Sequence, residues 1–193
     1  MSVLKRVSAA ALIAPLFVLA SGYADSRPFE ERASECVACH GVGGSSATPG
    51  MPSIAGQPQF FLMNQLILMR EGVRPVAAMA DVLKGLKDEE AVALAERFSS
   101  IPIVRSDEKA DPGLVRRGAE LAVKMRCASC HMPGNEGSEQ MPRLAGQRID
   151  YMIDALKAYR DDKRPGADTA MTAVVYGASD ADLEALAHYT ATK

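Results

Sequence analysis

Apolar side chains recur at helical spacing in two well-separated segments of the chain. They are Phe60, Met63 and Ile67 in the first segment, and Ile149, Met152, Ile153, Leu156 and Tyr159 in the second. Spacings of three, four and seven residues place such side chains on one face of a helix. No segment of useful length alternates apolar and polar residues with the two-residue period of a half-buried strand. The pattern therefore predicts an all-α protein.

Residues typical of helix starts add further elements. Asp111 is followed by Pro112, which suits a cap and the first helical position, so a helix is predicted to run from there toward the next cysteine. Ser179 and Asp182 form a capping-box pattern before the last helix. Asp88 is the predicted cap of the matching helix in the first half of the chain. Each half is thus expected to hold a similar set of helices.

The chain contains an internal duplication with a period near ninety residues, which indicates two copies of one domain. Three segments recur in order: Cys36-Val37-Ala38-Cys39-His40 as Cys127-Ala128-Ser129-Cys130-His131, Met51-Pro52-Ser53-Ile54-Ala55-Gly56-Gln57 as Met141-Pro142-Arg143-Leu144-Ala145-Gly146-Gln147, and Met79 as Met171. Prolines and charged residues between the copies suit an exposed linker. We predict an N-terminal domain at 25–104 and a C-terminal domain at 105–193. The first copy has the shorter lead before its cysteines, so its opening helix is expected to be truncated.

Residues 1–24 have the composition of a secretory signal peptide. Lys5 and Arg6 precede an apolar run, and small residues stand before a predicted cleavage after Ala24. The apolar run is too short for a typical membrane span, although an uncleaved anchor is the alternative interpretation. The predicted mature chain is therefore exported.

Charge excludes some classes of partner. The chain has 22 basic and 24 acidic residues and a formal net charge of −2. Neither half holds a basic cluster of the kind that binds nucleic acid or an anionic membrane surface.

The repeated pentapeptides carry the predicted chemistry. Both read C-x-x-C-H, the spacing that attaches a c-type haem through two thioethers and supplies a histidine to the iron. A zinc site needs further Cys or His ligands at suitable spacing, and a thioredoxin-like pair needs a strand-and-helix context. All four cysteines lie in the two motifs. The sequence thus predicts two covalently attached haem c groups, bound by Cys36, Cys39 and His40 and by Cys127, Cys130 and His131.

The sixth iron ligand is less directly indicated. His188 is the only histidine outside the motifs, and a solvated or capping role is favoured for it. Methionine thioethers are better candidates, and two pairs recur in both copies. Met51 and Met141 precede prolines whose carbonyls suit the histidine side, whereas Met79 and Met171 lie in loops between the second and third helices. We favour the second pair, and the first pair stays open as an alternative.

The order of these features resembles the dihaem cytochrome c4 family. Each C-x-x-C-H motif is followed by Pro-x-x-Ala-Gly-Gln, a helix, a basic turn (Glu71-Gly72-Val73-Arg74 and Asp162-Lys163-Arg164-Pro165) and a methionine segment. The resemblance implies two tandem class I cytochrome c domains, with Met79 and Met171 as axial ligands. It also implies that the carbonyls of Pro52 and Pro142 orient the two imidazoles. The short opening helix of the first copy departs from the family pattern.

The function implied is that of a periplasmic carrier that passes single electrons between redox partners, for example toward a terminal oxidase. The alternative is an electron-accepting subunit of a periplasmic dehydrogenase that oxidises sulfide, thiosulfate or an alcohol. A dihaem enzyme is the third hypothesis, but one spare histidine and no spare cysteine offer little from which to build a reactive site. We therefore expect an electron carrier with no catalytic residues.

Overall fold

A computed structural model describes residues 28–166 and 169–193. Within these ranges the regular elements are helices, and one isolated bridge joins Ser138 to Met141. The predicted signal peptide lies outside the described residues. The all-α prediction is confirmed.

The two halves of the chain place their helices in a similar order. The first half contains α1 (Phe29–His40), a 3₁₀ turn (Val42–Gly44), α2 (Gln59–Arg70), α3 (Ala77–Ala80) and α4 (Asp88–Ser100). The second half contains α5 (Pro112–Lys124), α6 (Ala128–His131), α7 (Ile149–Arg160), α8 (Thr169–Val175) and α9 (Asp180–Ala191). One difference is that α1 runs unbroken into its C-x-x-C-H motif. In the second half the chain breaks between α5 and α6, where Arg126 has a φ of 58°.

Two of the three predicted helix caps are present. The Asp111 carboxylate accepts hydrogen bonds from the amides of Gly113 and Leu114, and Pro112 is the first residue of α5. Ser179 and Asp182 form the predicted capping box of α9. These contacts satisfy amides that no preceding turn can bind.

The predicted cap of α4 is wrong by one residue. Lys87 is the residue before the helix, and Asp88 is the first helical residue. The Glu90 carboxylate accepts the Lys87 amide at 2.8 Å, which supplies half of a capping box. Asp88 still lies in the first turn, where a negative charge is favoured by the helix dipole.

The two methionine segments are partly helical, whereas loops were predicted. Met79 lies in α3 and Met171 in α8. Alanine makes up most of α3 and is also present in α8, and its high helix propensity favours a turn of helix there.

A separate apolar core lies in each half. Buried members in the first half are Ala33, Cys36, Leu62, Leu83, Leu86, Ala91, Leu94, Ala95 and Phe98. Those in the second half are Ala122, Ile149, Met152, Leu156, Val175, Ala178, Leu183, Leu186 and Ala187. The closing helices α4 and α9 therefore provide much of each core.

The halves meet through a reciprocal exchange of glutamine side chains. Gln57 accepts the amide of Arg143 and donates to its carbonyl, both at 2.9 Å. Gln147 does the same with Ser53, at 2.8 Å for both bonds. Each pair joins residues that occupy matching places in the duplication, so the interface has approximate twofold symmetry.

Candidate functional site

Each C-x-x-C-H motif places one sulfur toward the core and the other toward the surface. Cys36 is buried and Cys127 is half-buried, whereas Cys39 and Cys130 are exposed, and none of the four forms a disulfide. Burial raises the pKa of the Cys36 thiol to about 11 and also raises the pKa of Cys127. Two thiols held on one helical turn suit covalent attachment along one edge of a porphyrin.

The two motif histidines have the same environment. The Nδ1 atom of His40 lies 2.8 Å from the carbonyl oxygen of Pro52, and that of His131 lies 2.8 Å from the carbonyl of Pro142. Because a carbonyl only accepts, Nδ1 must carry the proton, and Nε2 keeps its lone pair for a metal. Burial lowers the pKa of both imidazoles, although the hydrogen bond to proline opposes this effect. The predicted role of the two proline carbonyls is confirmed.

A feature that the sequence analysis missed holds the proline segments in place. The carbonyl of Gly44 accepts the amides of Ile54 at 2.7 Å and Ala55 at 3.0 Å. The carbonyl of Asn135, at the matching position, accepts the corresponding pair of amides in the second half. Both residues have positive φ, of 83° and 58°. Gly and Asn adopt this conformation more readily than other residues, and this is the signal in the sequence that could have identified them.

The two methionine pairs lie in different environments. Met79 packs against the core that contains Cys36, and Met171 packs against the core on which Cys127 also lies. Met51 and Met141 belong to neither cluster and directly precede the prolines that accept from the histidines. Met79 and Met171 are therefore associated with the same apolar regions as the motif cysteines.

His188 has a structural role. Its Nδ1 atom accepts the backbone amide of Asp111 at 3.0 Å, just before α5 begins. The histidine thus ties the start of α5 to α9, in agreement with the predicted capping role.

Two arginines, one from each basic turn, meet at Tyr151. The Nη2 atom of Arg164 lies 3.4 Å from the Tyr151 hydroxyl, and its guanidinium lies 4.9 Å above the ring of Tyr159. Burial opposes ionisation of the Tyr151 phenol, but the charges of Arg164 and Arg74 outweigh it and lower its pKa. Among the described residues, no carboxylate forms an ion pair with either arginine. The cluster offers hydrogen-bond donors, which suit the carboxylates that a haem carries.

Comparison with known proteins identifies the family. The family described as "Cytochrome c" matches residues 115–192. The cytochrome c4 of Pseudomonas aeruginosa is 31% identical over 182 residues, which cover 89% of this chain and 90% of that protein. The chain belongs to the cytochrome c4 family. The crystal structure of reduced cytochrome c4 from Pseudomonas stutzeri has a TM-score of 0.76 and 30% identity, covering 85% of this chain and 97% of that one.

A further relative has a more specific name. The "thiosulfate dehydrogenase electron acceptor" of Thiomonas intermedia is 31% identical over 201 residues, which cover 98% of this chain and 92% of that protein. Membership of the cytochrome c4 family confirms the predicted tandem cytochrome c fold and two covalently attached haem c groups. It also confirms that this cytochrome transfers electrons and is not an enzyme. In the described ranges, no helix is both long and apolar enough to cross a membrane.

Proposed function

We propose that this cytochrome works in the periplasm as the electron acceptor of a dehydrogenase. In this proposal His40 and Met79 ligate one haem iron, and His131 and Met171 ligate the other. Haem supplies the one-electron chemistry, and these four side chains would leave neither iron with a position open to small ligands. Such a protein takes up two electrons, one at each haem.

The observation that supports this ligand set is the equivalence of the two histidine sites. Each imidazole is buried and fixed through Nδ1 at 2.8 Å, and burial lowers its pKa, so Nε2 is left free to bind a metal in both halves. The location of Met79 and Met171 on the cysteine-containing cores favours them as the opposite ligands. A thioether stabilises reduced iron, which raises the potential of a carrier.

Replacing each methionine tests the ligands. Met79→Ala and Met171→Ala should each remove the sulfur-to-iron band of one oxidised haem and allow carbon monoxide to bind that haem when reduced. Met51→Ala and Met141→Ala are the matched controls and should leave both bands unchanged. Loss of a band in a control, or its retention in Met79→Ala or Met171→Ala, would refute the ligand assignment.

The proposed location and processing rest on the first two dozen residues. Their signal-like composition supports export with cleavage after Ala24, which leaves domains at 25–104 and 105–193. Intact-mass analysis of the periplasmic fraction should find a chain that begins at Asp25 and carries two haems. A full-length chain bound to the membrane would refute cleavage.

The proposed donor is a dehydrogenase that oxidises thiosulfate, and a terminal oxidase is the expected later acceptor. Two relatives named as thiosulfate dehydrogenase electron acceptors support this choice. Exposed apolar side chains close to both motifs suit a transient contact: Val42 is 94% exposed and Met132 is 40% exposed. Exposed Cys39 and Cys130 lie on the same segments. Electrons are thus expected to enter near the thioether edge of a haem.

Stopped-flow mixing tests the donor and the contact together. Oxidised cytochrome should be reduced by a thiosulfate dehydrogenase only when thiosulfate is present. Val42→Lys should slow this step, whereas Val104→Lys, at a 68% exposed position outside the motif, should not. Equal rates for the two variants would refute the motif edge as the contact, and no reduction by the enzyme would refute this donor.

A further inference from the structure

A hydrogen-bonded path leads from the first motif histidine into the other half of the molecule. The Pro52 carbonyl, 2.8 Å from Nδ1 of His40, belongs to the peptide unit whose N–H is that of Ser53. That N–H donates to Oε1 of Gln147 at 2.8 Å. One peptide unit therefore accepts from the histidine at one end and donates across the interface at the other.

The second histidine has an equivalent path, related to the first by the approximate twofold symmetry. The Pro142 carbonyl lies 2.8 Å from Nδ1 of His131, and the N–H of the same peptide unit, which belongs to Arg143, donates to Oε1 of Gln57 at 2.9 Å. Gln57 and Gln147 are 4% and 3% exposed, so water does not compete for these bonds. The two paths cross at the interface, because each glutamine serves the opposite histidine.

Hydrogen bonds in such a path reinforce one another. An acceptor on the N–H of a peptide unit polarises that unit and makes its carbonyl a stronger acceptor. A stronger acceptor at Nδ1 makes the imidazole a more electron-rich ligand. Electron-rich ligation favours the oxidised iron and lowers the reduction potential.

We propose that Gln57 and Gln147 are positioning residues that tune the haem of the opposite domain. Gln147 acts on the haem attached to Cys36 and Cys39, and Gln57 acts on the haem attached to Cys127 and Cys130. The proposal rests on ligation of iron by His40 and His131, as proposed above. It links the potential of each haem to the contact between the domains.

Redox titration of the holoprotein tests the crossed effect, with each haem followed through the shifted ring signals of its own histidine. Gln147→Leu should raise the potential of the His40 haem by about 28 mV, a roughly threefold change in the reduction equilibrium. The potential of the His131 haem should not change. Gln57→Leu should instead raise the potential of the His131 haem and leave that of the His40 haem unchanged. Gln59→Leu and Gln140→Leu, both at exposed positions, are matched controls.

A conservative variant distinguishes tuning from simple loosening of the interface. Gln147→Glu keeps the acceptor for the Ser53 N–H, loses the donor to the Ser53 carbonyl and adds a negative charge, which also favours oxidised iron, so the potential of the His40 haem should not rise. This variant also serves if Gln147→Leu does not fold. The proposal would be overturned if a glutamine-to-leucine variant changed the potential of the haem in its own half or changed both potentials equally. It would also be overturned if the changes in potential were no larger than those of the controls. Low-spin spectra of all variants report separately on whether the histidine ligation itself holds.

Discussion

The two halves of the molecule have equivalent histidine sites but attach their opening helices differently. In the second half, α5 packs closely along α9: a Cβ added to Gly118 would lie 2.0 Å from the carbonyl oxygen of Ala185. In the first half, side chains make the connection. Arg32, only 1% exposed, lies 3.3 Å from the Glu90 carboxylate and donates to the Val82 carbonyl at 3.2 Å.

The difference shows which parts of the domain determine the histidine geometry. Both imidazole–proline distances are 2.8 Å although one opening helix packs through its backbone and the other through a buried charge. The common parts are the proline segments and the carbonyls of Gly44 and Asn135 that hold them. The opening helix therefore supports the stability of each domain, while the segment after the motif orients the motif histidine.

The largest expected effect comes from filling the space at Gly118. In Gly118→Val the new side chain would meet the backbone of α9, which cannot move without disturbing the core around Leu183. We expect the free energy of unfolding of the second half to fall by about 3 kcal/mol or more. Thermal unfolding followed at the haem absorbance measures this loss. Glu120→Ala, at an exposed position of α5, should change the melting temperature little. An unchanged melting temperature for Gly118→Val would mean that α5 does not pack closely on α9.

Removing the buried arginine should affect the first half in a similar way but less strongly. Arg32→Leu leaves the Glu90 carboxylate without its buried partner and the Val82 carbonyl without a donor. We expect a loss of about 2 to 3 kcal/mol in denaturant unfolding, confined to the first half. Val123 occupies the matching place in the duplication and is 79% exposed, so Val123→Ala is the control. Equal losses in the two variants would contradict the difference between the halves.

The sequence predicted the parts of the structure that depend on local patterns. Helical periodicity, the Asp111 and Ser179 caps and the repeated C-x-x-C-H motifs require only residues close together in the chain. The contacts of Arg32 with Val82 and Glu90, and of Gln57 with Arg143, join residues far apart in sequence. Nothing in the local pattern around Arg32 indicates burial, because most arginines lie at the surface. The repeated Gln57 and Gln147 were visible as a motif, but their exchange between halves is a property of the interface.

The two glutamine side chains that cross the interface should contribute similar amounts to the free energy of unfolding. Gln57→Ala and Gln147→Ala each remove two buried hydrogen bonds to the backbone of the other half. We expect similar losses of about 1 to 2 kcal/mol for the two variants in denaturant unfolding. Gln59→Ala and Gln140→Ala are exposed controls. Clearly unequal losses would show that the two halves do not share the interface evenly.

The smallest expected effect concerns an asymmetric interface contact that depends on pH. The Asp150 carboxylate accepts the amide of Gly50 at 2.9 Å, whereas the matching residue of the first half is Phe60 and has no carboxylate. The hydrogen bond from Arg148 is the main cause of the lowered pKa of Asp150. A lowered folded-state pKa contributes stability that is present above the unfolded-state value, about 3.9, and is lost as pH falls through the folded-state value.

Asp150→Asn should therefore reduce stability by about 0.5 kcal/mol at neutral pH, because the pair is partly exposed and screened by water. The difference from the wild type should shrink as the pH falls from the unfolded-state pKa through the lowered folded-state pKa, since the Asp150 carboxylate becomes protonated over that range. Urea unfolding at a series of pH values measures this convergence, and Asp154→Asn, at an exposed position of α7, should show no such trend. A difference that stays constant across the series would mean that the charge of Asp150 adds nothing to the interface beyond its hydrogen bonds. The contact would then be an ordinary polar one, without an ionic contribution from the second half.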